Sequence, residues 1–349
     1  MLLQENVPLG SRTTLGVGGP SRWFAEISRE QELHEAVVWA AARKLPVFVL
    51  GGGSNLVVAD RGFAGLTLHI ALRGIERCSD AVFDCAAGEE WDDFVSEAVD
   101  ANCAGVECLS GIPGTVGGTP VQNVGAYGQD VSETIVSVRA YEVATGTLRD
   151  FSNAECRFSY RHSRFNSTDA GRFIVTRVRY ALKSGGRPKI EYADLRKYFD
   201  GRREPPSLLE TREAVRKIRH QKAMLIVEGD EDSRSAGSFF KNPVVDAVTF
   251  ERVGEIAERQ GRIVPSYPAE EGRVKIAAAW LVEQSGVHKG FTLGPVAISR
   301  RHALAIVNRG GATAADVIAL KEHVQQRVRD TFGIELRPEP VFVGFEESS

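Results

Sequence analysis

The chain has 349 residues, enough for two or three domains, and its 43% apolar and 26% charged residues make an ordinary soluble globular composition. A net charge of −3 leaves no electrostatic footprint for nucleic acid. No apolar run reaches the length of a membrane span, and MLLQENVPLG lacks the basic and apolar regions of a signal peptide. The cysteines, Cys78, Cys85, Cys103, Cys108 and Cys156, are odd in number and form no C-x-x-C, which predicts reduced thiols in a cytoplasmic protein. The histidines are scattered without metal-ligand spacing, so no metal site is expected.

The first segment, residues 1–71, opens its first helix at Ser28-Arg29-Glu30-Gln31, which reads as a capping box. Leu33, Ala36, Val37, Ala40 and Ala41 follow at helical spacing. Pro46 stops the helix, and Val47–Leu50 reads as a buried strand. Gly51-Gly52-Gly53-Ser54-Asn55 comes next, then a second apolar run, Leu56-Val57-Val58. A dinucleotide fingerprint would need Gly at 56, and no helix start follows. Two strands joined by this turn fit better. The turn is either a simple hairpin or, with the donors of Ser54 and Asn55, part of a phosphate site.

In the second segment, 72–207, Trp91, Phe94, Val95, Ala98 and Val99 form an amphipathic helix headed by Glu89 and Glu90. The run GIPGTVGGTPVQNVGAYG, residues 111–128, then has glycine at six positions and proline at 113 and 120, with no Ser, Lys or Glu. Linkers are rich in those three residues. A run without them reads as a cradle in which the backbone comes close to an anion or cofactor. Ile135–Val143 and Phe173–Leu182 read as strands, with Ala144–Thr147 as the hairpin turn of the first. Ile174, Thr176, Val178 and Tyr180 alternate with Val175, Arg177 and Arg179. Between the strands, CRFSYRHSRF (156–165) interleaves arginines with aromatics. An arginine there is either a snorkelling surface residue or a cation that steadies an anion.

In the third segment, 208–333, Thr211 can cap a helix running to Lys222, with Arg212, Arg216, Lys217, Arg219 and Lys222 as a solvated basic face. Glu228–Asp232 reads as a flexible acidic patch. AGSFFKNP (236–243) sets Ser238 in a turn, where its hydroxyl either caps backbone or moves a proton. Helices are expected at Asp246–Gln260 and Val274–Ser285, and a third from Thr313 to Gly333. Arg337-Pro338-Glu339-Pro340 then leads a strand, Val341–Gly344, its prolines holding Arg337 and Glu339 extended. Glu339 either pairs with Arg337 or serves in a site.

Taken together and in order, GGGSN (51–55), the 111–128 run, CRFSYRHSRF, GSFFKNP (237–243) and RPEP (337–340) resemble the UDP-N-acetylenolpyruvoylglucosamine reductase family of peptidoglycan synthesis. Tyr192, in EYADL, resembles the tyrosine loop of the family's type I branch, which folds over substrate. The resemblance implies an α+β fold: an FAD-binding fold of the vanillyl-alcohol-oxidase and p-cresol-methylhydroxylase type in two α+β subdomains (1–71 and 72–207), and a C-terminal α+β substrate-binding domain (208–333). The strand in 334–349 is expected to return to the first subdomain. It implies tightly but non-covalently bound FAD, NADPH as co-substrate, UDP-N-acetylglucosamine enolpyruvate as substrate and a monomer. Hydride passes from NADPH to FAD to the vinyl carbon.

Positions matching the family's FAD site are Gly51, Gly53, Ser54, Asn55, Pro113, Gly114, Gly117, Gly118, Thr119, Gln122, Asn123, Gly125, Ala126, Tyr127 and Val175. Arg161 and Glu339 match the pair that stabilises the enolate, and Ser238 matches the proton donor. Tyr160, Tyr192, Arg219, Lys222, Asn242 and Gln284 match substrate positions. A covalent flavin oxidase of the same fold is disfavoured because Gly51–Asn55 holds no His or Cys. A non-catalytic binding module leaves Arg161, Ser238 and Glu339 as coincidences.

Overall fold

In the computed structural model, which describes residues 1–346 apart from the Glu270 side chain, the alternating stretch Phe173–Ala181 is the middle strand of a five-stranded antiparallel sheet. The sheet order is Thr147–Ser152, Ile135–Glu142, Phe173–Ala181, Val82–Ala86, Ile75–Ser79. Ile174, Thr176, Val178 and Tyr180 are buried, while Arg177 and Arg179 pair with Asp84 on the open face. The Ala144–Gly146 tract closes the expected hairpin, with Glu142 opposite Thr147. The helix Trp91–Asp100 buries Trp91, Phe94, Val95, Ala98 and Val99. Phe94 stacks on Tyr180 at 4.8 Å, and Trp91 and Phe83 also pack on Phe94. Truncating a buried aromatic of this kind costs about 3–5 kcal/mol.

A second sheet in the same unit has the order Leu3–Pro8, Pro20–Ile27, Phe63–Ile70, Val47–Leu50. The helix Glu30–Ala42 precedes its last strand. Glu32, rather than Gln31, closes the N-terminus, because its carboxylate accepts from the N–H of both Ser28 and Arg29. This unit comprises Met1–Val7, Ser21–Gly53 and Ala64–Leu225.

The other unit comprises Pro8–Pro20, Ser54–Phe63 and the chain from Ile226 on. Its long helix, Ala314–Phe332, starts at Thr313 and stops at Gly333, as read from the sequence. Asp60 adds two acceptors to its first turn, taking the N–H of Ala314 and Ala315. Val317, Leu320, Val324, Val328 and Phe332 are buried along one stripe, in a core with Val296, Ile298 and Ile306 of a three-stranded sheet. Among the described residues no helix is long and apolar enough to cross a membrane.

Several local expectations are corrected. The two strands flanking Gly51–Asn55 are not a hairpin. Val47–Leu50 pairs in parallel with Phe63–Ile70, and Leu56–Val58 pairs in parallel with Val341–Val343. The stretch expected as one helix from Val274 divides instead: Val274–Ile276 is a strand, too short for its period of two to stand out, and the helix is only Ala278–Gln284. The basic helix begins one turn earlier, at Leu208, because Ser207 and Glu210 form a capping box that outcompetes Thr211. Thr211 is buried, its hydroxyl donating to the Ser207 carbonyl. The acidic stretch is not simply flexible, since Asp232 is buried and pairs with Arg309 while Asp230 pairs with Arg301.

Backbones cross closely at Gly62, where φ is +77° and an added Cβ would lie 1.8 Å from the Pro20 carbonyl oxygen. Gly171 has nearly the same φ, +76°, with no atom within 4 Å of that position. Gly171→Ala should therefore cost about 1 kcal/mol for conformation alone. Gly62→Ala should cost about 2–4 kcal/mol, since the clash adds to it. Urea denaturation of the two variants measures the difference, and equal losses would refute it.

Candidate active site

The 111–128 run begins under tight control. The Gly111 N–H donates to Asp92 Oδ1 at 2.6 Å, and its carbonyl accepts from Arg219 Nε at 3.1 Å. Asp92 also accepts from Arg212 at 2.5 Å and from Arg216. Burial works to raise the Asp92 carboxyl, but the Arg212 hydrogen bond, the Gly111 N–H and the two guanidinium charges outweigh it, and the group titrates below its ordinary value. The basic face of the helix Leu208–Gln221 is thus not merely solvated. Arg219 is 6% exposed and also donates to the Met224 carbonyl.

Beyond Gly111 the run takes a single 3-10 turn, Val116–Gly118, and a two-residue ladder, Gly125–Ala126 against Gln129–Asp130. The N–H groups of Val116, Gly117, Gly118 and Thr119 all donate to protein carbonyls. An anion held here therefore uses other donors. The buried Thr119 hydroxyl bonds Tyr180 OH at 2.8 Å, and Val175 is a buried strand residue opposite Ala140.

The first Gly-rich turn lies against this run. A methyl on Gly52 would come within 2.6 Å of Gly114 Cα, and one on Gly51 within 2.7 Å of Thr115 Oγ1. At Gly118, by contrast, an added Cβ would meet nothing within 4 Å. Backbone-to-backbone contact beside open space is the geometry a flat, anionic cofactor needs. The two Gly-rich stretches are thereby brought together at Gly51 and Gly52 on one side and Gly114 and Thr115 on the other.

The end of the run carries Tyr127, buried and in a left-handed conformation at φ +49°. Burial raises its phenol to about 12, against the lowering effect of Arg219. The Tyr192 ring meets Tyr127 edge-on at 5.4 Å, and Lys222 Nζ lies 6.0 Å from the Tyr127 ring centre. Lys222 donates to Asp194 at 2.6 Å, so a phosphate at Lys222 competes with that carboxylate. Arg161 donates to the Gly125 carbonyl at 2.8 Å, and its guanidinium lies 5.4 Å from the Tyr160 ring centre.

In the other unit three motifs converge. The Glu339 N–H donates to the Phe239 carbonyl and the Lys241 N–H to the Arg337 carbonyl, which lays GSFFK antiparallel to RPEP. Ser238 is therefore one residue from the Phe239–Glu339 bond. On the far side of RPEP, Asn55 Nδ2 donates to the Glu339 carbonyl at 3.3 Å, and the Val341 N–H donates to the Asn55 carbonyl at 2.9 Å. Asn242 and Gln284 stand at opposite ends of the helix Ala278–Gln284. Asn242 Oδ1 accepts the Ala278 N–H at 2.9 Å, and Gln284 Oε1 is buried without a donor among the described residues. An orphaned buried oxygen costs about 1–3 kcal/mol unless a ligand or water serves it.

Matches to known proteins follow the same division. Residues 22–152 match the FAD binding domain model, and residues 230–343 match the model of the UDP-N-acetylenolpyruvoylglucosamine reductase C-terminal domain. A UDP-N-acetylenolpyruvoylglucosamine reductase of Thermobifida fusca is 46% identical, with 97% of this chain and 98% of the relative aligned. One of Streptomyces coelicolor is 44% identical over 97% of this chain and 90% of its own. The chain belongs to the UDP-N-acetylenolpyruvoylglucosamine reductase family. A crystal structure of the enzyme from Thermus caldophilus superposes with a TM-score of 0.68 at 26% identity, covering 98% of this chain and all of that one. The protein is an FAD-dependent oxidoreductase of this family, with the family's α+β flavin-binding fold.

Asp92, Asp194 and Thr115 escaped the sequence reading. Acidic residues at a helix start suggest capping, and no spacing rule links Asp92 to Arg212, 120 positions on. Asp92→Asn should lower stability by about 2–3 kcal/mol and loosen FAD retention. Because the folded carboxyl titrates below the ordinary 3.8, its stabilisation is complete above that pH and is lost as pH falls through the lower folded value. Thermal unfolding from pH 7 to pH 3 should show the variant losing less than the wild type on acidification; parallel curves would contradict this.

Proposed function

We propose that the chain reduces UDP-N-acetylglucosamine enolpyruvate to UDP-N-acetylmuramate at the expense of NADPH. The observation that carries this reading is the ladder that sets GSFFK and Asn55 on either side of RPEP, bringing the Ser238 and Glu339 segments into register. The relatives are named for the same reductase activity.

The residues fit the cofactor. Gly51–Gly53 and Pro113–Gly118 would hold FAD, and neither turn contains a His or Cys to attach it covalently. When bound, FAD supplies two-electron hydride transfer from NADPH to the terminal vinyl carbon. The chain's own residues manage the charge and the proton. As the vinyl carbon gains hydride, negative charge develops on the neighbouring carbon and its carboxylate. Arg161 meets that charge as a preset cation, and Glu339 is the carboxylate assigned to the same step. The Ser238 O–H then gives its proton to the neighbouring carbon, forming the C–H bond of the lactyl ether. The serine oxygen regains a proton from solvent, so the sum is NADPH, one proton and the enolpyruvyl ether going to NADP⁺ and the lactyl ether. A serine hydroxyl is a poor acid, and Lys241 and Asn242, which follow it in the chain, are the candidates to steady its alkoxide.

Tyr192, Lys222 and Arg219 belong to the sugar-nucleotide side of the reading. Lys222 offers charge to a phosphate, and Gln284 offers an oxygen to a substrate donor. Arg219 acts through the loop it clamps.

The test is anaerobic. Protein reduced with NADPH and mixed with UDP-N-acetylglucosamine enolpyruvate should regain its oxidised flavin spectrum, and no reoxidation refutes the proposal. Ser238→Ala and Arg161→Met should each slow reoxidation by about 10²–10³-fold while reduction by NADPH stays fast. Acid precipitation should release all of the flavin into the supernatant; yellow colour remaining in the pellet would mean a covalent link.

A further inference from the structure

We infer that Asn123 is a positioning residue for Arg161, so that the glycine-rich run sets the catalytic cation as well as seating the cofactor. The inference rests on the reading of Arg161 given above. Ser159 and His162 exchange both backbone hydrogen bonds, at 3.0 and 3.1 Å, which leaves Tyr160 and Arg161 as the two-residue tip of a tight turn. Arg161 sits there at φ +55°, a left-handed conformation that a long side chain rarely adopts. Such a conformation persists only where the surroundings impose it.

The surroundings are supplied by the run. Asn123 is 3% exposed, and its Nδ2 donates to the Ser159 carbonyl at 3.1 Å, at the base of the turn. Its Oδ1 accepts the Ser132 N–H at 3.1 Å, which fixes the amide's orientation. Its own carbonyl accepts from Arg161 Nη1 at 3.4 Å, and that of Gly125 accepts from Nη2 at 2.8 Å. Asn123 itself takes φ +46°, which asparagine tolerates better than other side chains. One residue thus holds the turn through its side chain and the guanidinium through its backbone. Neutral carbonyls orient a guanidinium without cancelling its charge, which is what a cation aimed at a developing carbanion requires.

Holoenzyme variants Asn123→Gly, Arg161→Lys and their combination test this. Glycine keeps the left-handed backbone and removes both amide contacts. Asn123→Gly should slow flavin reoxidation by the enolpyruvyl substrate about 10- to 100-fold, with kcat falling more than KM changes and reduction by NADPH affected far less. UDP-N-acetylmuramate, titrated against the flavin absorbance, should bind more weakly. The decisive readout is the double variant, which should be little slower than Arg161→Lys alone because both changes disturb one group. Wild-type reoxidation in Asn123→Gly, or losses that multiply in the double variant, overturns the inference. If Asn123→Gly fails to retain FAD, Asn123→Ser carries the same test, since it stays neutral and is too short to bridge Ser159 and Ser132 as the amide does. Wild-type reoxidation in Arg161→Lys would instead remove the reading of Arg161 itself, and the inference with it.

Discussion

Gly111 is gripped through both of its backbone polar groups, the N–H by Asp92 and the carbonyl by Arg219. The rest of the flavin-binding unit hangs on that grip. A glycine-rich run gains its close approach to a cofactor from missing side chains, and the same absence leaves it with nothing of its own to fix its path. Charged groups at its entry solve the problem. Each of these charges is partly or wholly buried, so each is strong only while the others are present. Asp92 gathers Arg212 and Arg216 from the helix Leu208–Gln221, which therefore docks in one register. The next residue after that helix, Lys222, then falls beside Asp194 and the Tyr127 ring. A clamp at one end of the run thus determines what stands at its other end.

The second unit fixes its loops by different means. RPEP is held by backbone hydrogen bonds to GSFFK on one flank and by the Asn55 side-chain amide on the other. Its prolines make this possible. They restrict the preceding residues to extended conformations, so the segment enters the ladder already shaped and loses little entropy on ordering. The parallel pairing of Val341–Val343 with Leu56–Val58 then anchors Asn55. The strand after the first Gly-rich turn is therefore paired with the last strand of the chain, and the turn separates two sheets instead of joining two strands of one.

That distinction marks the limit of what could be read from the residues alone. The run 111–128, the helix bounded by Thr313 and Gly333 and the strand alternation in 173–181 were all legible, because each is encoded by neighbours in sequence. The pairing partners of Val47–Leu50 and Leu56–Val58 were not, since both strands are short apolar runs with no register of their own. The same limit explains the basic helix. Its composition predicted a solvated face, and only the fold brings in Asp92 to make that face structural. Val274–Ser285 failed for a smaller reason: three residues of alternation are too few to outweigh a helical pattern that follows directly. Among the site residues, types and neighbourhoods were visible, while the uses of Thr119 and Arg219 inside the protein emerged only from their hydrogen bonds.

Three non-glycine residues around the run, Asn123, Tyr127 and Arg161, adopt left-handed conformations. Each costs on the order of 1–3 kcal/mol. Strain of that kind cannot be held by a residue's own neighbours in sequence, because they share the turn that creates it. It has to be opposed from elsewhere, and here the opposing contacts are mutual. Arg161 donates to carbonyls of the run, and Asn123 donates back to the turn that carries Arg161. Neither segment can relax without releasing the other. The loop that seats a cofactor and the turn that presents a cation therefore behave as one element, although 36 positions separate Arg161 from Gly125. A substitution aimed at either is felt at both, which is why the glycines of the run cannot be treated as passive packing around the chemistry.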